Sequence, residues 1–469
     1  MGRCTASART GSILGGGSKK GLQAEIQNDI VTEIEALLGR GAVDDLDFEA
    51  LETALRRQAL RLAARSLEQR MNADTSDHAG PVLSCVGCGN PAQYRGRHGK
   101  TFESVLGPLQ LERAYYHCAT CESGFCPRDR CLHLGKFSLT PGVLRMTGSV
   151  AAMVSFAESS ALLRELAAVE VSVKQVERAA EALGVEIAED ERQCVERLGE
   201  IAPTMYLGMD GTGVPMRAAE VAGRAGKQPD GTAKTREVKL VTVWTAESRD
   251  EENKPVRDAG SITYSAAIES AAVPDTSLTR SDFAERVLRE ATRRGFTEAP
   301  RCAVLGDGSA WIWNTTGELF PQAIQILDRF HAKQHLSDVG KIVHSANSEE
   351  RRQWIQLRYD ELDEGRIEPL LQALDQRAPE YDEARKCAEY FRHNRQRIRY
   401  PELHAQGLCT ATGVVEAGCK VAIGTRLKRS GMHWTESGAN AIIALRCSKL
   451  SGRYEDFWER RSGSQRLAA

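Results

Sequence analysis

Thr204-Met205-Tyr206-Leu207-Gly208-Met209-Asp210-Gly211-Thr212-Gly213 is the stretch that decides how the rest of this chain is read. Its first six residues form a mostly apolar run of strand length, and Asp-Gly, a turn pair, follows. Such a run leaves a carboxylate at the carboxyl end of a buried strand, the edge where open α/β sheets bind ligands. A second run, Cys302-Ala303-Val304-Leu305-Gly306, leads into Asp307-Gly308-Ser309. A third acid, Glu416, lies in Gly413-Val414-Val415-Glu416-Ala417-Gly418-Cys419-Lys420, ahead of a basic, helix-prone stretch. Three carboxylates converging on one edge would hold two divalent metals about 3.5–4 Å apart, the arrangement used for in-line phosphodiester chemistry.

Working outward, residues 201–338 offer strand candidates at Thr204–Met209, Val238–Trp244, Ser261–Ile268, Cys302–Leu305 and Ala323–Leu327, with a helix at Asp282–Arg294. Arg217–Arg236, rich in Gly and basic residues, reads as a long mobile hairpin loop. The order β-β-β-α-β-α-β is the layout of a ribonuclease-H-like core, an α/β fold with a mixed sheet. Asp210 then ends the first strand and Asp307 the fourth. Residues 339–400 read as a charged helical insertion that ends in an Arg-and-aromatic stretch, Tyr390 to Tyr400. Arg392, Arg395 and Arg397 there suit phosphate pairing and base stacking, and equally a solvated helix face. Residues 401–469 bring Glu416, then Arg426-Leu427-Lys428-Arg429-Ser430-Gly431-Met432-His433-Trp434 and an apolar helix through Ile442, Ile443 and Leu445.

The amino-terminal half is organised differently. Residues 1–79 comprise a Gly- and Ser-rich start, read as disordered over 1–21, and a helical pair over 22–71 broken at Asp44–Asp47. Residues 80–135 carry Cys85-Val86-Gly87-Cys88 and Cys118-Ala119-Thr120-Cys121, with 29 residues between them. Two such knuckles joined by a β-hairpin supply four thiolates in the tetrahedral set that structural Zn²⁺ prefers, a zinc-ribbon-like module. Cys126 and Cys131 extend the cluster as alternative ligands, a second site or neither. In residues 136–200, Ala161–Glu170, a turn at Val171-Ser172-Val173 and Lys174–Gly184 read as helix-turn-helix. Ser172 caps the second helix, which presents Lys174, Gln175 and Arg178 to a DNA groove. An ordinary αα-hairpin has the same pattern.

Composition limits the classes. At 469 residues the chain has room for two to four domains. A net charge of −2 gives no global nucleic-acid signature, so DNA contact would fall to local basic patches. No apolar run is long enough for a membrane span, and no apolar core follows the first basic residues as a secretory signal needs. Thirteen cysteines, scattered apart from one cluster, fit a reducing cytoplasm with a metal site rather than a disulfide framework.

Taken together these motifs resemble a bacterial insertion-sequence DDE transposase of the ISKra-type group. The resemblance covers roughly 80–450 and is carried by Tyr206–Pro215, Val304-Leu305-Gly306-Asp307-Gly308, Ile326-Leu327-Asp328-Arg329-Phe330-His331 and Arg426–Trp434. It implies that Asp210 and Asp307 ligate Mg²⁺ or Mn²⁺ and that Glu416 completes the site, with Glu402 and Glu436 as rivals. It further implies that Asp328 and His331 support the site. Lys420, Arg426, Lys428 and Arg429 would hold DNA phosphates near the metals, and Trp434 would stack on a distorted base. The activity implied is strand cleavage and transfer at transposon ends in the bacterial cytoplasm, associated with the nucleoid, by a dimer or higher oligomer. The alternatives are a non-catalytic zinc-containing DNA-binding protein derived from a transposase, and a ribonuclease-H-like nuclease without strand transfer.

Overall fold

The computed structural model describes residues 32, 35 and 47–468, apart from 136, 196–199, 227, 274–278, 347, 411 and 412. The readings of disorder over 1–21 and of a first helix after residue 22 lie outside the described residues. The chain forms two compact units, one of residues up to Met146 with Ser160–Gln175, the other of Thr147–Ser159 with Val176–Ser464.

In the first unit, a 26-residue helix, Phe48–Ala73, starts where the Asp47 carboxylate accepts the Glu49 amide at 3.1 Å. Four antiparallel strands follow in spatial order: β1 (Val82–Ser84), β2 (Pro91–Ser104), β3 (Gly107–Cys118) and β4 (Ser123–Phe125). β2 and β3 form one long hairpin, with a register shift between Tyr94 and Arg97 where Gly96 takes φ +104°. The helix lies against β3. Ala64 and Met71 join Phe102, Leu109 and Leu111 in a small core, while Glu68 and Asn72 accept the Gln110 and Glu112 amides at 2.6 and 2.8 Å.

Two helices, Phe156–Ala167 and Val173–Gln193, replace the expected pair at Ala161–Glu170 and Lys174–Gly184. The first stops early because Ala168 turns to φ +55°. The second begins as expected. Ser172 Oγ accepts the Gln175 amide while Gln175 Oε1 accepts the Ser172 amide, a reciprocal capping box.

The second unit is built on a mixed five-stranded sheet. Its strands are β5 (Thr204–Pro215), β6 (Thr235–Thr245), β9 (Thr263–Ala267), β10 (Arg301–Gly306) and β11 (Ile324–Leu327). A two-residue hairpin, β7 (Ser248–Arg249) with β8 (Pro255–Val256), stands apart from it. The sheet order is β11-β10-β5-β6-β9, with β10 parallel to both β5 and β11, and β6 antiparallel to both β5 and β9.

Residue alternation assigns the two faces. On one side the Asp282–Arg294 helix approaches β9, where Arg286 donates to Ser265 Oγ at 3.1 Å. Ser281 caps that helix and Gly295, at φ +65°, ends it. On the other side, Gly418 of a later helix meets Leu240, Thr242 and Tyr264. Between β11 and that later helix come Arg329–Val343, Glu349–Asp363, Ile367–Arg377 and Asp382–His393, the expected insertion. Their Leu336, Leu362, Leu370 and Phe391 extend the core of the sheet.

One buried cluster of charges in this unit is paired in place. Glu290, fully buried, bonds Arg293 at 2.8 Å and Arg453 at 3.0 Å, and Arg453 also reaches Glu191.

Candidate functional sites: an acidic sheet edge and a four-cysteine cluster

The strand register brings the acids together. Leu305 pairs with Gly208, and Gly306 with Leu327. Continued by one or two residues, the same register sets Asp210, Asp307 and Asp328 in one row across β5, β10 and β11. Asp307 and Asp328 each follow the last residue of their strand. Asp210 does not end β5, contrary to expectation. Gly211, Thr212 and Gly213 stay in the sheet because Lys239, Val238 and Glu237 of β6 pair with them, and the pairing runs on to Pro215 with Thr235. Sheet hydrogen bonds there override turn propensity.

Each acid is held by its surroundings. Asp210 Oδ1 accepts the Gly211 amide at 2.6 Å, and the buried Cys419 thiol donates to the same carboxylate. The Asp307 carboxylate accepts the amide and hydroxyl of Ser309 at 2.9 and 3.1 Å. Behind it, Gly308 adopts φ +100°, and a Cβ there would stand 2.5 Å from the Tyr390 ring. The Tyr390 hydroxyl donates to the Asp307 carbonyl at 2.8 Å. Asp328 is buried, accepts the Phe330 amide at 2.7 Å and so caps the Arg329–Val343 helix. Its own amide donates to Gly306 at 2.8 Å, tying β11 to β10. His331 Nδ1 lies 3.4 Å from Asp328.

Glu416 stands on a helix that lies along β5. The helix runs Gly413–Gly418, continues as a π-helical segment, Cys419–Gly424, and closes with Thr425–Leu427. Its seat follows three alternate residues of one strand face. Val415 fills the space over Gly208, Cys419 bonds Asp210, and the Lys428 ammonium contacts Thr212 Oγ1. Glu416 is exposed, one turn before Cys419. The rivals are committed elsewhere: Glu402 pairs with Arg399 at 2.9 Å, and Glu436 with Arg236.

Burial raises the Asp210 carboxyl above its usual range and the Asp307 charge adds to this, while Cys419, the Gly211 amide and His331 oppose it. Asp328 raises the His331 imidazole, and the charges of Asp307 and Asp210 contribute. Burial, with the neighbouring Asp210, pushes the Cys419 thiol up. Cys419 and Tyr390 were not foreseen as part of the site. Neither carries a sequence signal beyond its spacing from an acid. Asp328 did carry one, since it too follows an apolar run.

Among the described residues, one group of metal-binding side chains has ligand atoms all within 4.8 Å of one another: Cys85, Cys88, Cys118 and Cys121. The three acids of the sequence reading do not form such a group. Cys85 and Cys88 stand in the turn between β1 and β2; Cys118 ends β3, and Cys121 lies in the turn to β4. Cys85 Sγ is 3.5 Å from Cys121 Sγ, and Cys88 Sγ 3.6 Å from Cys118 Sγ. Those separations exceed a disulfide bond and approach the edge of about 3.8 Å in a tetrahedron of Zn–S bonds. The Ser123 hydroxyl, with the Cys88 and Gly87 amides, lowers the Cys85 thiol to about 6. The Cys121 amide lowers Cys118. Both shifts favour the thiolate a metal needs. Cys126, buried, and Cys131, exposed, stand outside the group.

The expected DNA contacts divide. Lys174, Arg178, Lys420, Lys428 and Arg429 are exposed, while Gln175 is engaged in its cap. Arg392 pairs with Asp375 at 2.5 Å and Arg395 with Glu368. Arg397 lies over the Trp313 ring at 4.4 Å, and Arg429 pairs with Glu158. Two expectations need correction. Arg426 is fully buried between the rings of Phe156 and Trp434, 4.8 and 5.4 Å away, and donates to the Ala151 carbonyl at 2.9 Å. Trp434 is buried too, its indole N–H given to Leu427 at 2.9 Å. Cation–π contact and carbonyl bonding consume the groups that would have met DNA.

No helix among the described residues is long and apolar enough to cross a membrane. A search of curated proteins finds no match. The profile of an uncharacterised protein family, UPF0236, matches residues 92–461, which takes in most of the hairpin and the whole acidic sheet edge. The chain therefore belongs to the uncharacterised protein family UPF0236.

Proposed function

We propose that this chain is a DDE transposase that cleaves DNA at the ends of an insertion sequence and joins those ends to target DNA. One observation carries the reading: Asp210 and Asp307 fall in a row at the carboxyl edge of adjacent parallel strands, with the Glu416 helix laid along β5. The sheet order β11-β10-β5-β6-β9, with its mixture of parallel and antiparallel pairs, is the one a ribonuclease-H-like core requires. The five α-helices between β11 and the Glu416 helix account for the long interval separating the second and third acids.

Carboxylate oxygens at an accessible edge are the donors that Mg²⁺ or Mn²⁺ takes, and such ions would activate the nucleophile and neutralise the leaving 3′ oxygen. Asp210 and Asp307 would be ligands, and Glu416 would close the set. Ser309 and Cys419 fix the two aspartates in orientation before any ligand arrives. Tyr390 pins the turn that carries Asp307. Burial raises Asp210 above the usual carboxylate range, and a bound cation would favour its ionised form. The exposed Lys420 and Lys428, on the helix that carries Glu416, are available to DNA phosphates. Two ends must be brought together, so the active species is a dimer or larger, working in the cytoplasm at the nucleoid. The four-cysteine cluster would hold one Zn²⁺ and stiffen the hairpin outside the catalytic core.

The test is cleavage and joining of end-labelled DNA carrying the element's own termini, with Mg²⁺, Mn²⁺ or EDTA. Metal-dependent products should appear with the wild type and fall to background in Asp210→Ala, with end binding retained. Products that persist in that variant overturn the assignment. Specific binding without product in the wild type would favour a non-catalytic DNA-binding protein.

A further inference from the structure

The Phe48–Ala73 helix carries five arginines, and three of them, Arg57, Arg61 and Arg65, recur every fourth residue. Four residues of α-helix rise about 6 Å, so the three cations form a slanting row that rises about 12 Å along the helix. Beside the row runs an open groove of about 430 Å³, floored by Leu60, Leu106 and Pro108. The face of the helix that carries the row is anchored. Ala64 and Met71 sit in the core against Phe102, and Glu68 and Asn72 are bonded to β3. The arginine row therefore cannot turn away from the groove without breaking those contacts.

Arg57 and Arg61 also differ from most arginines in the protein. Arg97, Arg113, Arg128, Arg392 and Arg429 each pair with a carboxylate. Arg57 and Arg61 are exposed, and among the described residues neither has a carboxylate or carbonyl partner. Glu68, the one acid lining the groove, already accepts the Gln110 amide at 2.6 Å. Exposed guanidinium groups on an anchored helix, along an open groove, are built for a continuous polyanion. Double-stranded DNA presents one phosphate per 3.4 Å of axis on each strand, so a 12 Å row faces about three or four phosphates.

We propose that this groove binds the phosphate backbone of duplex DNA, with Arg57, Arg61 and Arg65 on consecutive phosphates of one strand. The proposal rests on the reading of this protein as a DNA-processing enzyme and assigns it a contact surface on a helix that precedes the family match. The contacts are to phosphate, so they add affinity without choosing a sequence.

The test uses the full-length protein and a fluorescein-labelled 30-base-pair duplex of arbitrary sequence, with affinity measured by anisotropy across a salt series. Each lost phosphate contact lowers the slope of log K against log salt by about 0.9. A variant with Arg57→Ala, Arg61→Ala and Arg65→Ala should therefore lose about 2 to 3 from the slope, and the corresponding triple lysine variant should regain most of it. Arg57→Gln with Arg61→Gln touches only exposed side chains, keeps the fold, and should lose about 2. An unchanged slope in the glutamine variant overturns the groove, and so does a wild type that binds no duplex. The strand-cleavage assay separates this failure from that of the proposed function. Cleavage with an unchanged slope leaves the chemistry standing and removes the groove. A reduced slope with no cleavage by the wild type does the reverse.

Discussion

Replacing Gly208 by alanine would place a methyl group 2.2 Å from Val415 Cγ2, where carbon atoms in contact stand about 3.5–4.0 Å apart. Either the strand or the Glu416 helix must then yield. Overpacking of this kind costs about 1–3 kcal/mol, partly offset by the 0.5–1 kcal/mol or so that alanine gains over glycine in a strand. Val415→Ala alone removes two buried methyl groups, worth about 1.6 kcal/mol before any cavity term. Were the two sites independent, the pair would cost about 2–4 kcal/mol, centred near 3. They share one volume, however, and the new methyl occupies the space that the valine vacates. Trp244 Cζ3 at 3.0 Å and Thr242 Oγ1 at 3.2 Å remain close, so relief is incomplete. The double variant should cost about 2 kcal/mol, a favourable coupling of about 1 kcal/mol. Urea unfolding followed by tryptophan fluorescence on all four proteins gives that coupling directly. Additivity within about 0.5 kcal/mol would refute the seating of this helix on β5. The helix that carries Glu416 would then have no defined place on the sheet.

Three further outcomes are expected. Purified protein should carry one zinc per chain, released by a thiol reagent; Cys118→Ser should lose it, whereas Cys126→Ser and Cys131→Ser should keep it, as metal analysis will show. Glu290→Ala strands Arg453 and Arg293 in the interior and should cost about 3–5 kcal/mol in urea unfolding, because breaking a buried pair leaves an uncompensated charge. The native His331 pKa is raised, so its stabilisation is complete below the unfolded value near 6.5 and disappears as pH climbs through the native value. The stability gap between wild type and His331→Asn should thus be widest near pH 6 and narrow toward pH 9; a gap that widens with pH refutes the ion pair with Asp328.

Much of this architecture can be read from the chain because local signals agree with the sheet. The Asp282–Arg294 helix is announced by Ser281 before it and Gly295 after it, and the structure uses both as caps. Apolar runs mark the five strands of the sheet to within a few residues. Beyond Asp210 the signal fails, since Gly211, Thr212 and Gly213 look like a turn until β6 supplies partners. Arg426 and Trp434 fail for another reason. A basic run says nothing about which members find carbonyls and rings inside the fold, and Arg426 finds both. The row of acids depends on register between strands about a hundred residues apart, which no local pattern encodes. Glu416 is closer to legible, because the small residues at Gly208 and Gly418 are what let its helix sit against the sheet.

The order of the elements along the chain also sets a schedule for synthesis. All five strands of the sheet have been made once Leu327 has been added, yet the helix covering Gly208 and Asp210 begins only at Gly413. At 5–20 residues per second, the roughly 100 residues from there to Leu427 take about 5–20 s to emerge. During that interval one face of β5 and β6 has no cover, and Glu290 still lacks Arg453. A nascent chain of this protein therefore stays an unfinished sheet until its last part arrives, and the face over Gly208 and Asp210 is covered only when translation is nearly over.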